Sequence, residues 1–152
     1  MYGLTGKQGV FSAARILLVI GAMTPVQGFA ACTVSSTAVA FGAYDVFATT
    51  ANDSVGSIKI SCDTSTAYSI ALSPGSGGSW SGRTLENGIS ELVYNLFVDA
   101  ARTQVWGDGT GGTATVGATA TSANHTVYGR ITAGQNVTTG TYTDTVIITV
   151  TY

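Results

Sequence analysis

Apolar and polar side chains alternate with a period of two along most of this chain. Ile58, Ile60 and Cys62 face away from Lys59 and Ser61. Tyr68, Ile70 and Leu72 face away from Ser69, Ala71 and Ser73, while Leu92, Tyr94, Leu96 and Val98 share a face opposite Val93, Asn95, Phe97 and Asp99. This periodicity predicts strands, several of them apolar on both faces. Turn-forming clusters separate them: Ser73–Ser79, Glu86-Asn87-Gly88, Gly107–Gly112 and Thr132–Asn136. Short strands with such punctuation and no helical period of useful length predict an all-β sandwich.

The stretch from Gly140 to Tyr152 is patterned most strongly. Tyr142, Val146, Ile148, Val150 and Tyr152 point one way, and Thr143, Thr145, Ile147, Thr149 and Thr151 point the other. No turn and returning strand follow Tyr152, so two readings stand. Either a complete sandwich ends on this strand, or the edge position beside it is vacant. A vacant edge next to an apolar face leaves main-chain groups unpaired and invites a strand from another chain.

Composition narrows the function classes. The 152 residues are 45% apolar and 9% charged, with 20 Gly and 24 Thr where charges and helix formers would otherwise stand; an average globular chain is roughly a quarter charged. A net charge of only -2 on so apolar a chain excludes intrinsic disorder. Six Lys and Arg cannot build the basic surface that phosphate recognition needs, so no nucleic-acid partner is expected. The length fits one domain.

Lys7 and Arg15 precede the apolar run Ile16–Met23, and a polar stretch ending Gly28-Phe29-Ala30 follows. This layout predicts a secretory signal peptide over residues 1–30, with small residues, Gly28 and Ala30, at the -3 and -1 positions of a cut after Ala30. The run is too short for a transmembrane helix, which needs about 20 apolar residues. The exported part, 31–152, then carries four Lys and Arg against eight Asp and Glu, a formal charge of -4. Its two cysteines, Cys32 and Cys62, predict one disulfide. Closing a loop of about 30 residues stabilises by roughly 3.5 kcal/mol in the chain-entropy account.

No catalytic or metal-binding constellation emerges. His125 is the only histidine, and no nucleophile-elbow motif surrounds a serine. Asp45, Asp99, Asp108 and Asp144 are scattered, with no paired-carboxylate motif. The Gly107–Gly112 turn offers a single carboxylate, too few for calcium, and two Cys with one His are too few for zinc. A non-enzymatic protein without a cofactor is expected.

Several segments together resemble the spore coat protein U domain, a family that includes subunits of archaic chaperone-usher pili. They are Cys32-Thr33-Val34, Phe41-Gly42-Ala43-Tyr44-Asp45, Ile60-Ser61-Cys62, Arg83-Thr84-Leu85, Leu92–Phe97, Asp99–Thr103, Val105–Gly109, Val127–Ile131, Gly140–Val146 and Thr149–Tyr152. The resemblance spans essentially all of 32–152. It implies an incomplete immunoglobulin-like sandwich lacking its last strand, held by a periplasmic pilus chaperone and exported through an outer-membrane usher. A neighbouring pilus subunit then donates the absent strand, and the product resides on the cell surface as a pilus or coat. It also implies that Val146, Ile148, Val150 and Tyr152 line the groove where chaperone and donor strand bind.

The chain departs from the family's polymerising pilins, which carry a donor extension before the first cysteine. A cut after Ala30 leaves only Ala31 there, and at about 3.4 Å per residue one residue cannot span a groove. The expectation is therefore a subunit that accepts a strand and gives none, at a tip or terminus; a cut after Ala22 would restore a short donor. Trp80, in the loop Gly77–Gly82, either presents an adhesive tip for surface attachment and biofilm formation or folds back over the sandwich. The competing reading of the whole chain is a self-contained module that binds a carbohydrate or a surface.

Overall fold

The structure, a computed structural model, describes residues 30–152. The leader assigned to residues 1–30 therefore lies outside the described residues except for Ala30. Six strands form, with no helix among the described residues: β1 (Cys32–Thr37), β2 (Asn52–Leu72), β3 (Arg83–Asn87), β4 (Ser90–Phe97), β5 (Val116–Ile131) and β6 (Ile148–Thr151). All pair antiparallel in one sheet of order β1-β2-β5-β4-β3, and β6 joins the side of β2.

Two of the expected strands are one. The stretches around Ile58–Cys62 and Tyr68–Leu72 belong to the 21-residue β2, because β5 runs beside both halves. The register slips between Ser61 and Thr66, where Asp63, Thr64 and Ser65 are exposed. An irregularity of this kind bends a strand and increases its twist. Across the bend β2 changes neighbours: Ser57–Cys62 pair with β1, and Ser69–Leu72 pair with β6. The sheet thus folds over, and the buried faces of both halves share one core.

That core holds Ile58, Ile60, Tyr68, Ile70 and Leu72 of β2, Leu92, Tyr94 and Leu96 of β4, Val127 and Ile131 of β5, and Trp106 from the connection between β4 and β5. The period-two pattern survives on every one of these strands. Trp106 donates its indole N–H to the Ile70 carbonyl at 3.0 Å, satisfying its one polar atom inside the core. Cys32 faces Cys62 across the β1–β2 ladder, and the two form the expected disulfide.

The C-terminal stretch departs from the expected continuous strand. Only Ile148–Thr151 pair in a ladder, and Thr143 makes a single bridge to Glu86. The alternation itself persists, with Tyr142, Asp144, Val146, Ile148 and Val150 half-buried and the residues between them exposed. The segment crosses from the edge of β3 to the edge of β2, so most of its length has no strand beside it among the described residues.

Candidate functional site

Two segments without ladders, Ala38–Phe47 and Val137–Ile147, stand on either side of a groove. The first is laid across the sheet by two glycines inside strands. A Cβ on Gly56 would lie 2.6 Å from the Thr37 carbonyl oxygen and 2.9 Å from Val39 Cγ2. One on Gly129 would lie 2.6 Å from Val39 Cγ1 and 2.8 Å from Phe41 Cζ. Glycine within a strand marks such close approach of another segment. Side chains then tether the wall: Ser54 Oγ donates to the Ala40 carbonyl at 2.6 Å, and Asn52 Nδ2 donates to the carbonyls of Phe41 and Ala43 at 3.2 and 3.1 Å. Tyr44 donates its hydroxyl to the Thr132 carbonyl at 3.1 Å and accepts the Gln135 N–H at 2.9 Å.

The second wall is pinned at few points. Thr143 and Glu86 exchange N–H···O bonds of 2.8 and 3.1 Å, and the Ser73 N–H donates to the Ile147 carbonyl at 2.9 Å. Between these lies Asp144, whose Oδ2 accepts the Tyr94 hydroxyl at 2.6 Å and whose Oδ1 accepts the N–H groups of Ser76 at 2.8 Å and Thr145 at 2.7 Å. Gly75 makes room for this carboxylate: its φ is +74°, and any Cβ there would collide with Asp144 Oδ2.

The floor is the hydrophobic core, reached through Ile58, Leu72, Leu85, Leu92, Leu96, Val127 and Ile131. The groove has two lobes of about 630 and 410 Å³, and Val39, Phe41 and Leu85 line both, forming a waist. Phe41 meets Tyr94 edge to face, with ring centroids 5.8 Å apart. An apolar floor between two walls whose main-chain groups largely lack ladder partners can hold an extended peptide by β-augmentation. Such a peptide adds main-chain hydrogen bonds and inserts alternate side chains.

Electrostatics tie the wall to the core. Burial would raise the Asp144 pKa, but the hydrogen bonds from Tyr94, Ser76 and Thr145 outweigh it and hold the carboxyl below its ordinary value. Burial, reinforced by the bond to Asp144, pushes the Tyr94 phenol far above its usual range. Arg83 is fully buried and, among the described residues, has no direct carboxylate partner. It donates to the Ser73 carbonyl from Nε and Nη2 at 3.1 and 2.9 Å, to Asn95 Oδ1 at 2.6 Å and to the Trp106 carbonyl at 2.7 Å. Burial lowers its pKa, and the nearby Tyr94 and Asp144 counter this.

Of the residues singled out in the sequence, Val146 and Ile148 line the smaller lobe. Val150 sits opposite Ile70 and packs on the core, and Tyr152 lies past the end of β6 with 58% of its surface exposed. Trp80 is half-buried: its indole N–H donates to the Leu72 carbonyl at 3.4 Å, and its carbonyl accepts Asn95 Nδ2 at 2.8 Å. Ile89 and Phe47, in the turns after β3 and after Tyr44, are the more exposed apolar side chains. His125 Nε2 lies 2.9 Å from the Tyr68 hydroxyl, and burial lowers its pKa. Sequence periodicity missed the first wall, Arg83 and the role of Asp144; Gly56 and Gly129 inside strand-like stretches were the available signal.

Comparison with known proteins places this geometry. The model of the Spore Coat Protein U domain matches residues 22–149. Protein U of Myxococcus xanthus is 31% identical over 139 residues, covering 80% of this chain and 78% of that protein. Among solved structures, a chain of the CsuC–CsuE chaperone–tip adhesion subunit pre-assembly complex, from the archaic chaperone-usher Csu pili of Acinetobacter baumannii, superposes with a TM-score of 0.60 at 21% identity. The match covers 82% of this chain and 40% of that one, so the present protein spans less than half of its length. The shared fold is the immunoglobulin-like sandwich, and with the family pattern matched over most of its length the chain belongs to the Spore Coat Protein U domain family.

Proposed function

We propose that this protein is a structural subunit of a surface pilus or coat, without enzymatic activity, completed by a β-strand from another chain. The observation that carries the reading is the groove between Ala38–Phe47 and Val137–Ile147, with core residues for its floor and walls that lack ladders. At about 25 cal/mol per Å² of apolar surface, a strand that covers such a floor stabilises by many kcal/mol before ordering costs. A periplasmic chaperone fills the groove first, an outer-membrane usher exports the subunit, and a neighbouring subunit then supplies the permanent strand. The fold shared with a chain of a chaperone–tip subunit pre-assembly complex supports a chaperone as the first partner. Val146 and Ile148 contact the inserted strand directly, while Val150 and Tyr152 extend the same wall.

Ala31 is already engaged, its carbonyl accepting the Asp63 N–H at 3.0 Å. If export cleaves after Ala30, no donor segment precedes the fold, and the subunit accepts a strand without giving one, at a tip or terminus. N-terminal sequencing of the exported protein tests this position; a start at or before Met23 overturns it.

Producing the exported chain with and without a chaperone of this family tests the main reading. The chain produced alone is expected in low yield and to aggregate on concentration, leaving only dilute monomer, and co-expression or a strand peptide is expected to raise the yield and stop the aggregation. A stable, peptide-indifferent monomer would favour a self-contained carbohydrate- or surface-binding module instead.

A further inference from the structure

The groove is apolar but not neutral. Asp45 stands in the wall of the larger lobe and Asp144 in that of the smaller, and among the described residues no Lys, Arg or His lines either. The cations among the described residues are placed elsewhere. Arg83 is buried on Ser73, Asn95 and Trp106. Arg102 and Arg130 both engage Asp53, with N···O distances of 3.3 and 2.7 Å. Lys59 is exposed on β2 between the buried Ile58 and Ile60, on the opposite side of the sheet from the core.

The two carboxylates differ in what they have left to offer. Asp144 is half-buried, and three donors already compensate its charge. Asp45 is exposed, and its Oδ1 accepts only the Phe47 N–H at 2.9 Å. Among the described residues no cation pairs with it. It shares the lobe with Tyr44, Phe47 and Tyr142, so a strand laid there passes beside it.

We infer that the strand accepted by this groove carries a Lys or Arg at the end that lies beside Asp45. The inference rests on the strand-acceptor reading and specifies its partner: an extended segment, apolar at alternate positions and cationic at one end. An exposed ion pair changes affinity by roughly 1.5- to 5-fold, and reversing the charge adds a repulsion of similar size. The expected Lys-over-Glu preference is therefore roughly 2- to 25-fold.

Capped synthetic peptides test it: about ten residues of alternating Val and Thr, which at ~3.4 Å per residue span roughly 34 Å. Their first or last residue is Lys, Gln or Glu, and binding to the exported chain is followed by fluorescence anisotropy. The account expects Lys to exceed Gln and Gln to exceed Glu at one end only, which also reports the polarity of insertion. The preference should shrink at high salt, where exposed pairs are screened, and the Lys-over-Glu ratio should fall toward one in Asp45→Asn. Equal binding of all three residues at both ends overturns the charge inference while leaving strand acceptance standing. Loss of the ratio in Asp144→Asn but not in Asp45→Asn overturns the assignment to Asp45. Absence of binding by every peptide refutes the acceptor reading itself, and the inference falls with it.

Discussion

Replacing Asp144 by alanine removes the carboxylate that joins the second wall of the groove to β4 and to the loop after β2. The Tyr94 hydroxyl loses its acceptor at 2.6 Å, and the Ser76 and Thr145 amides lose theirs. Tyr94 is only 5% exposed, so its O–H is left largely without water to replace the lost partner. A charge-assisted hydrogen bond contributes about 1.5–3 kcal/mol and an orphaned buried donor costs about 1–3 kcal/mol, the two overlapping. Because Asp144 is partly exposed, the combined loss is set at about 3 kcal/mol. Tyr94→Phe deletes the donor together with its need for a partner and leaves Asp144 its two amides, so it should cost about 1 kcal/mol.

Urea unfolding measures both. With m of about 1–3 kcal/mol/M, the alanine variant shifts the midpoint down by roughly 1–3 M, and the double variant costs less than the sum of the singles. The pH dependence follows with its sign. Asp144 has a folded pKa below the reference value of 3.8, so its contribution is complete above that value and is lost as pH falls through the lower, folded pKa. Asp144→Asn should flatten this acid limb. Equal costs for Asp144→Ala and Tyr94→Phe, or a strictly additive double variant, would refute the proposed coupling.

Three further outcomes can be checked. Replacing Cys32 and Cys62 by alanine opens a loop with a sequence separation of 30 and should remove roughly 3.5 kcal/mol of stability, read as a lower urea midpoint; an unchanged midpoint contradicts it. His125 has a folded pKa below 6.5, so stability should decline as pH falls through 6.5 toward that lower value. The slope should vanish in His125→Gln, and an NMR titration of the ring above 6.5 would count against the burial argument. Gly129→Ala places a methyl 2.6 Å from Val39 Cγ1 and should displace the first wall, costing about 1–3 kcal/mol by denaturation and weakening strand-peptide binding.

The parts legible in the sequence were those whose signal is local. Alternation marked the faces of Ile58–Leu72 and Leu92–Leu96, and the even count of cysteines, Cys32 and Cys62, together with the expectation of export marked the disulfide. Alternation also put Val146 and Ile148 on one face, because a segment that faces a core keeps its period of two even where no ladder forms; their place in a groove came from the family resemblance alone. What escaped was non-local. Ala38–Phe47 takes its course from Ser54, Asn52 and Tyr44 and from the space left by Gly56 and Gly129, none of which leaves a periodic trace. β2 reads as two strands because the exposed Asp63, Thr64 and Ser65 interrupt its apolar alternation, and only the pairing with β5 shows that the strand continues past them. Arg83 and Thr84 are consecutive polar residues that are both buried, so alternation says nothing of them, and the burial of Arg83 depends on carbonyls of Ser73 and Trp106 supplied by two loops. Trp80 lies in a glycine-rich loop, yet the Leu72 carbonyl and Asn95 hold it against the sheet.

Amide hydrogen exchange with and without an alternating apolar strand peptide tests the central claim most directly. In the chain alone, amides of Ala38–Phe47 and Val137–Tyr142 should exchange quickly while those of β2 and β5 are protected. Adding the peptide should slow exchange along both walls together. Walls already protected in the isolated chain, or protection gained only elsewhere, would contradict the account.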